Sequence, residues 1–109
     1  MEITQSGDIA LVLVDAKFDT STSGEIGQKL IDLIDSGSKK MLVDFSKTEY
    51  ISSAGLRVML VVAKRLQQGG GKMTLACMKP FVFDVFKMSG FDRIFDICDT
   101  KEKALANLV

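Results

Sequence analysis

Two adjacent serines, Ser52 and Ser53, hold the most chemical potential in this chain. They follow a polar turn and stand immediately before a helical pattern, where a helix N-cap belongs. The first N–H groups of a helix lack intrahelical partners, and the macrodipole adds roughly half a positive charge there. A phosphate or other anion carried on either serine would be held well. Gly55 follows closely, although glycine costs a helix about 1 kcal/mol against alanine. It predicts a bare patch beside the serines that another backbone can approach. Serine, helix N-terminus and bare patch together predict a modification or docking point. A plain helix cap is the simpler alternative.

A serine between a strand and a helix also raises nucleophilic catalysis. The flanks are not Gly-x-Ser-x-Gly, and neither serine has a lysine three residues on. The chain contains no histidine, which rules out a Ser-His-Asp triad or a His-ligated zinc site within it. No catalytic residue, metal or cofactor is expected, and the chain reads as a binding protein rather than an enzyme.

Two carboxylates extend the candidate surface. Asp19 opens the polar loop Asp19-Thr20-Ser21-Thr22-Ser23, and Asp44 lies near the end of an apolar strand. Ligands of open α/β sheets gather outside the carboxyl ends of the strands. Asp19, Asp44 and Ser53 are therefore expected on one surface. Each aspartate has a local alternative: Asp19 in a solvated cap for the next helix, Asp44 as a turn-stabilising group.

The elements that position these residues follow from periodicity. Glu2–Gln5 and Ile9–Val14 flank Ser6-Gly7-Asp8 and predict two strands joined by a short turn. Ile9–Val14 is apolar throughout, which predicts a strand covered on both faces. Ile26, Leu30, Ile31, Leu33 and Ile34 predict an amphipathic helix over about Gly24–Ser36, ended by Gly37. Lys39–Phe45 reads as a buried strand. From Ser53 or Ala54 to Gln68 the spacing predicts a helix burying Leu56, Met59, Leu60, Ala63 and Leu66. Arg57, Val61, Lys64 and Gln68 fall on its opposite face. Gly69-Gly70-Gly71 follows a helix rather than a strand, so it reads as a helix end, not a phosphate loop. Lys72–Cys77 and Ile94–Cys98 read as strands, and Pro80–Met88 as a helix with proline in its first turn. Five of the seven phenylalanines lie between Phe81 and Phe95, and core packing is their expected role. Asp99 and Glu102 have capping-box spacing for a last helix over Thr100–Leu108.

Composition bounds the answer. At 109 residues the chain is expected to form one domain, 1–109. Hydrophobic residues make up 47%, enough for a real core. Fourteen basic and fourteen acidic residues cancel, so no electrostatic footprint for direct nucleic-acid binding exists. Cys77 and Cys98 form no Cys-x-x-Cys pair and read as buried thiols of a reducing cytosol. No signal-peptide pattern opens the sequence, and the longest apolar run is far below the ~20 residues of a membrane span. No membrane insertion and a cytoplasmic location are expected.

One stretch resembles a known family. Tyr50-Ile51-Ser52-Ser53-Ala54-Gly55-Leu56-Arg57, preceded by Leu42-Val43-Asp44-Phe45-Ser46, is similar to the signature of bacterial anti-sigma factor antagonists, which are single STAS domains. The family pattern is usually Asp-Ser-Ser/Thr/Ala-Gly-Leu, and its first serine is phosphorylated. Aligned on Gly55-Leu56, that serine is Ser53, with Ser52 as the alternative; Ser52 stands where the family most often has aspartate. Ala16-Lys17-Phe18-Asp19 corresponds to the family's Gly-x-Leu-Asp, with Asp19 matching and Ala16 replacing glycine. The resemblance implies an α/β STAS-type mixed sheet of four to five strands packed with about four helices. It implies a partner surface of Asp19, Thr20, Asp44, Ser52, Ser53, Ala54, Gly55, Leu56 and Arg57. It implies a cycle in which the unmodified protein binds an anti-sigma factor that is also a serine kinase and so frees a sigma factor. Phosphorylation at Ser53 ends the binding, and a PP2C-type serine phosphatase restores it. The alternative is a STAS docking subunit of a transporter or other multiprotein complex, without phospho-switching.

Overall fold

Gly7, at φ 60°, turns the chain between its first two strands, a conformation that glycine adopts without steric cost. The computed structural model describes residues 1–109. After the hairpin of β1 (Glu2–Ser6) and β2 (Ile9–Leu13) come β3 (Lys17–Phe18), α1 (Ser23–Asp35), β4 (Lys40–Asp44), β5 (Tyr50–Ile51) and α2 (Ser53–Gln68). The chain continues through β6 (Lys72–Ala76), α3 (Pro80–Met88), a 3-10 turn at Phe91–Arg93, β7 (Ile97–Cys98) and α4 (Lys101–Leu108). The main sheet has five strands in the order β1-β2-β4-β6-β7, with β1 antiparallel and the rest parallel. Five strands of mixed direction and four helices match the expected architecture. A separate two-stranded parallel ribbon, β3 with β5, carries the site.

Strand alternation divides the core into two layers. Val12, Met41, Val43 and Leu75 face one side and pack with Ile26 and Leu30 of α1, Met59 and Leu66 of α2, and Phe86 of α3. Leu42, Ala76 and Cys98 face the other side, against Ala104 and Leu108 of α4. That second side is covered by one short helix. The expectation that the second strand is covered on both faces therefore holds only in part. It ends at Leu13, and Ile9, Leu11 and Leu13 are half-buried.

Other differences have similar local causes. In α2, Val62 is buried while Leu60 and Ala63 are only half-buried. The expected strand Ile94–Cys98 shortens to Ile97–Cys98. The N–H groups of Ile94 and Phe95 bond instead to the Phe91 carbonyl, which winds the segment into a turn. The last helix is capped by Thr100, whose Oγ1 accepts from the Lys103 N–H at 3.2 Å. Asp99 pairs with the Lys103 ammonium at 3.1 Å rather than forming a capping box. The phenylalanines split. Phe86 meets Phe45, Phe91 and Phe95 edge-on at centroid distances of 5.9, 6.5 and 5.8 Å. Phe81 and Phe83 are exposed, against the expected core role.

Phe86 is the hub of this aromatic cluster and is fully buried. Phe86→Ala is expected to lower unfolding free energy by about 3–5 kcal/mol, measured by urea denaturation. A loss below about 1 kcal/mol would contradict the packing described.

Candidate functional site

The site is built by zipping the loop after β2 to the loop after β4. The Ala16 carbonyl accepts the N–H groups of Glu49 and Tyr50 at 2.8 and 3.2 Å. Thr48 is fully buried, and its hydroxyl donates to the Asp15 carbonyl at 2.9 Å. Lys17 pairs with Tyr50 and Phe18 with Ile51. The Ser52 N–H then donates to the Phe18 carbonyl at 2.9 Å. These bonds place Asp19-Thr20 beside Ser52-Ser53.

The serine pair divides two tasks. Ser52 is extended (φ −94°, ψ 173°), and its side-chain oxygen accepts from the Gly55 N–H at 3.2 Å. Ser52 is thus the N-cap of α2. Ser53 is the first helical residue and is exposed. The N–H groups of Ser53 and Ala54 find no intramolecular acceptor, so the positive end of the helix is open around the Ser53 hydroxyl. Arg57 is exposed one turn further along, at the i+4 spacing that brings side chains together.

Gly55 has a different role from the one expected. It is buried, and a Cβ there would lie 2.6 Å from the Phe18 carbonyl oxygen and 2.9 Å from Cγ1 of Ile51. The backbone it admits is the chain's own, not a partner's. Leu56 is likewise buried in the core. Thr20, Ser53 and Arg57 are exposed, and Asp19, Ser52 and Ala54 are half-buried.

Asp19 organises the loop before α1. Its Oδ1 accepts from the Ser21 N–H at 2.9 Å, the Ser21 hydroxyl at 2.7 Å and the Thr22 N–H at 3.2 Å. Its own carbonyl accepts from the Ser23 N–H at 2.8 Å, starting the helix. The Ser21 hydroxyl, more than any other group, holds the Asp19 carboxyl below the usual aspartate range. Asp44 lies apart. Alternation puts it on the face of Leu42, toward α4, and its Oδ1 accepts from the Ser46 N–H at 2.8 Å. The structure brings Asp19 to the serines but directs Asp44 to a turn on the other side of the sheet. Burial, then the Asp44 charge, pushes the Cys77 thiol up. The β3–β5 ribbon and Thr48 were invisible in the sequence, because two-residue strands have no periodicity to read.

This geometry belongs to a recognised fold, and three comparisons define it further. The STAS domain family profile matches residues 1–104. BtrV of Bordetella bronchiseptica, a candidate anti-sigma factor antagonist, is 39% identical over 87 residues, covering 80% of this chain and 75% of that protein. A candidate anti-sigma factor antagonist from Thermotoga maritima has a crystal structure that superposes with a TM-score of 0.92 at 22% identity, covering 98% and 92% of the two chains. The phosphorylated form of the Bacillus cell-fate determinant SpoIIAA superposes at 0.76 and 18% identity, covering 99% and 98%. The chain is a STAS domain protein. Within that family it groups with the anti-sigma factor antagonists.

Three substitutions separate the roles. Ser52→Ala removes the cap and is expected to cost about 1 kcal/mol. Gly55→Ala forces α2 off the Phe18 carbonyl and is expected to cost about 1–3 kcal/mol. Ser53→Ala is expected to stay within about 0.5 kcal/mol of wild type. Urea denaturation of the three proteins gives the order, and a Ser53→Ala loss equal to that of Ser52→Ala would reverse the assignment.

Asp19 gives a pH signature. A carboxyl whose folded pKa is depressed stabilises the protein above its unfolded pKa, and this is lost as pH falls through the folded value. Ser21→Ala is expected to move the Asp19 pKa up toward the ordinary aspartate value, followed by carboxyl-carbon NMR titration. An unchanged pKa would show that the hydroxyl is not its cause.

Proposed function

We propose that this protein is an anti-sigma factor antagonist whose affinity for its partner is switched at Ser53. The unmodified form binds an anti-sigma factor that is also a serine kinase, and so releases a sigma factor. Phosphorylation of Ser53 ends the complex, and a PP2C-type phosphatase restores it. The observation that carries this reading is the exposed Ser53 hydroxyl at the open end of a helix capped by its neighbour. The 39% identity to the Bordetella protein supports the same class. The protein acts by binding rather than by catalysis.

The contact surface in this proposal is Asp19, Thr20, Ser52, Ser53, Ala54 and Arg57, held in place by Gly55 and Leu56 beneath. Asp44, turned to the other side of the sheet, is left out of it. A phosphate adds a charge of about −1.5 to −2 at pH 7. At a helix N-terminus that charge is locally favourable by about 0.3–1 kcal/mol, and Arg57 stands one turn away to pair with it. The switch therefore leaves α2 folded. Its cost falls on the complex, where a desolvated dianion facing a surface built for a neutral serine costs about 2–5 kcal/mol. No helix is long and apolar enough to cross a membrane. Neither membrane insertion nor direct nucleic-acid contact enters the proposal, and the cytoplasm is its setting.

Affinity capture from the source cell's lysate tests it, with wild type, Ser53→Ala and Ser53→Asp as baits and partners identified by mass spectrometry. A kinase-like regulator is expected with wild type and Ser53→Ala, and reduced or lost with Ser53→Asp. Equal capture of transporter components by all three would replace the switch with a docking subunit.

A further inference from the structure

The largest cavity of the molecule shares no residue with the serine site. It lies between α3 and α4 at the end of the sheet and has a volume of about 770 Å3, in the range of ligand sites. Its α3 wall is mostly apolar, from Met78, Pro80 and Phe83. Its α4 wall is mostly polar, from Asp99, Lys103 and Asn107. Asp84 and Asp96 add two more carboxylates. Lys103 is the one basic residue of the lining, and Asp99 already neutralises it at 3.1 Å. Three carboxylates against one ammonium leave the groove with two excess negative charges.

The floor of the groove is an unpaired strand edge. β7 is the last strand of the sheet. The Asp96 and Cys98 carbonyls accept from the Leu75 and Cys77 N–H groups at 2.9 and 3.2 Å, both toward β6. Alternation along a parallel pair then turns the N–H and C=O of Ile97 the other way, to the free edge. Ile97 lines the cavity. A free edge is a template for an added strand, and here two helices wall the path a strand would take.

We propose that this groove binds an extended segment of a partner protein in which basic and apolar residues alternate, added as a strand beside β7. The period of two sends successive side chains to opposite faces. Apolar side chains meet Phe83 and Met78, and lysine or arginine meets the carboxylates not already paired with Lys103, Asp96 beside β7 and Asp84 at the rim of α3. The excess negative charge selects the basic partner and repels an acidic one. The protein then has two separate recognition surfaces, one controlled at Ser53 and one set by charge.

The test is an NMR titration of the isotope-labelled full chain with the blocked peptide Lys-Val-Lys-Val-Lys-Val. Glu-Val-Glu-Val-Glu-Val and hexylammonium are the comparison ligands. Shifts at the amides of Ile97, Cys98 and Asp99 are expected with the lysine peptide alone, with slowed exchange of the Ile97 amide. The Asp84→Asn/Asp96→Asn protein is expected to bind about five- to tenfold more weakly, as for two surface ion pairs. Asparagine at 96 retains an oxygen for the Asn107 amide, and the exposed Asp84→Asn change alone serves if the double variant is unstable. Absence of groove shifts at millimolar lysine peptide, or an equal response to the glutamate peptide, would overturn the proposal. Equal shifts with hexylammonium and no protection of Ile97 would assign the groove to a small cationic amphiphile instead and overturn it too.

Discussion

The Phe18 carbonyl oxygen is the point on which the site depends. It accepts the Ser52 N–H at 2.9 Å, and it lies 2.6 Å from where a side chain at residue 55 would begin. The first bond ties the end of β5 to the end of β3. The second condition admits only glycine without displacing backbone. Together they press the first turn of α2 against the ribbon. The loop that starts α1 and the loop that starts α2 then emerge side by side, although Ser52 lies 33 positions after Asp19.

That constraint explains why two serines are needed where one would cap a helix. Ser52 is held by the ribbon through its N–H and by the helix through its side-chain oxygen, so its side chain is committed to the cap and half-buried. Ser53, one residue on, has turned into the helix and out to solvent. A charge arriving there meets open N–H groups rather than a packed core. In the proposed switch, a phosphate on Ser53 would change what the surface shows to a partner and leave what the surface rests on unaltered. The second layer, built by α4 on the far face of the sheet, takes no part in this. It forms one wall of the acidic groove, whose other wall is α3 of the first layer.

Much of this was legible in the sequence because the relevant signals are local. The helix from Ser53 to Gln68 announced itself by period and cap chemistry, and Pro80 marked the start of α3. The serine pair and Asp19 were found by type and position. What escaped depends on distant partners. The role of Gly55 was misjudged because the backbone it admits belongs to Phe18, far away in sequence. Asp44 ended on the α4 side because strand alternation, not proximity to the motif, decides where a side chain points. The β3–β5 ribbon was too short to leave a pattern, and Phe81 and Phe83 looked like core because apolar residues that line an open groove have the same composition as those that fill an interior.

The central claim is that Ser53 can be charged without disturbing the fold that presents it. It is tested most directly by making the protein with phosphoserine at position 53 and comparing its amide NMR spectrum and urea midpoint with the unmodified form. The account predicts shifts confined to Asp19–Ser23 and the first turns of α2, with an unchanged or slightly higher midpoint. Shifts spreading through β4, β6 and α3, or an unfolding free energy lowered by more than about 1 kcal/mol, would show instead that the modification acts by unfolding the site.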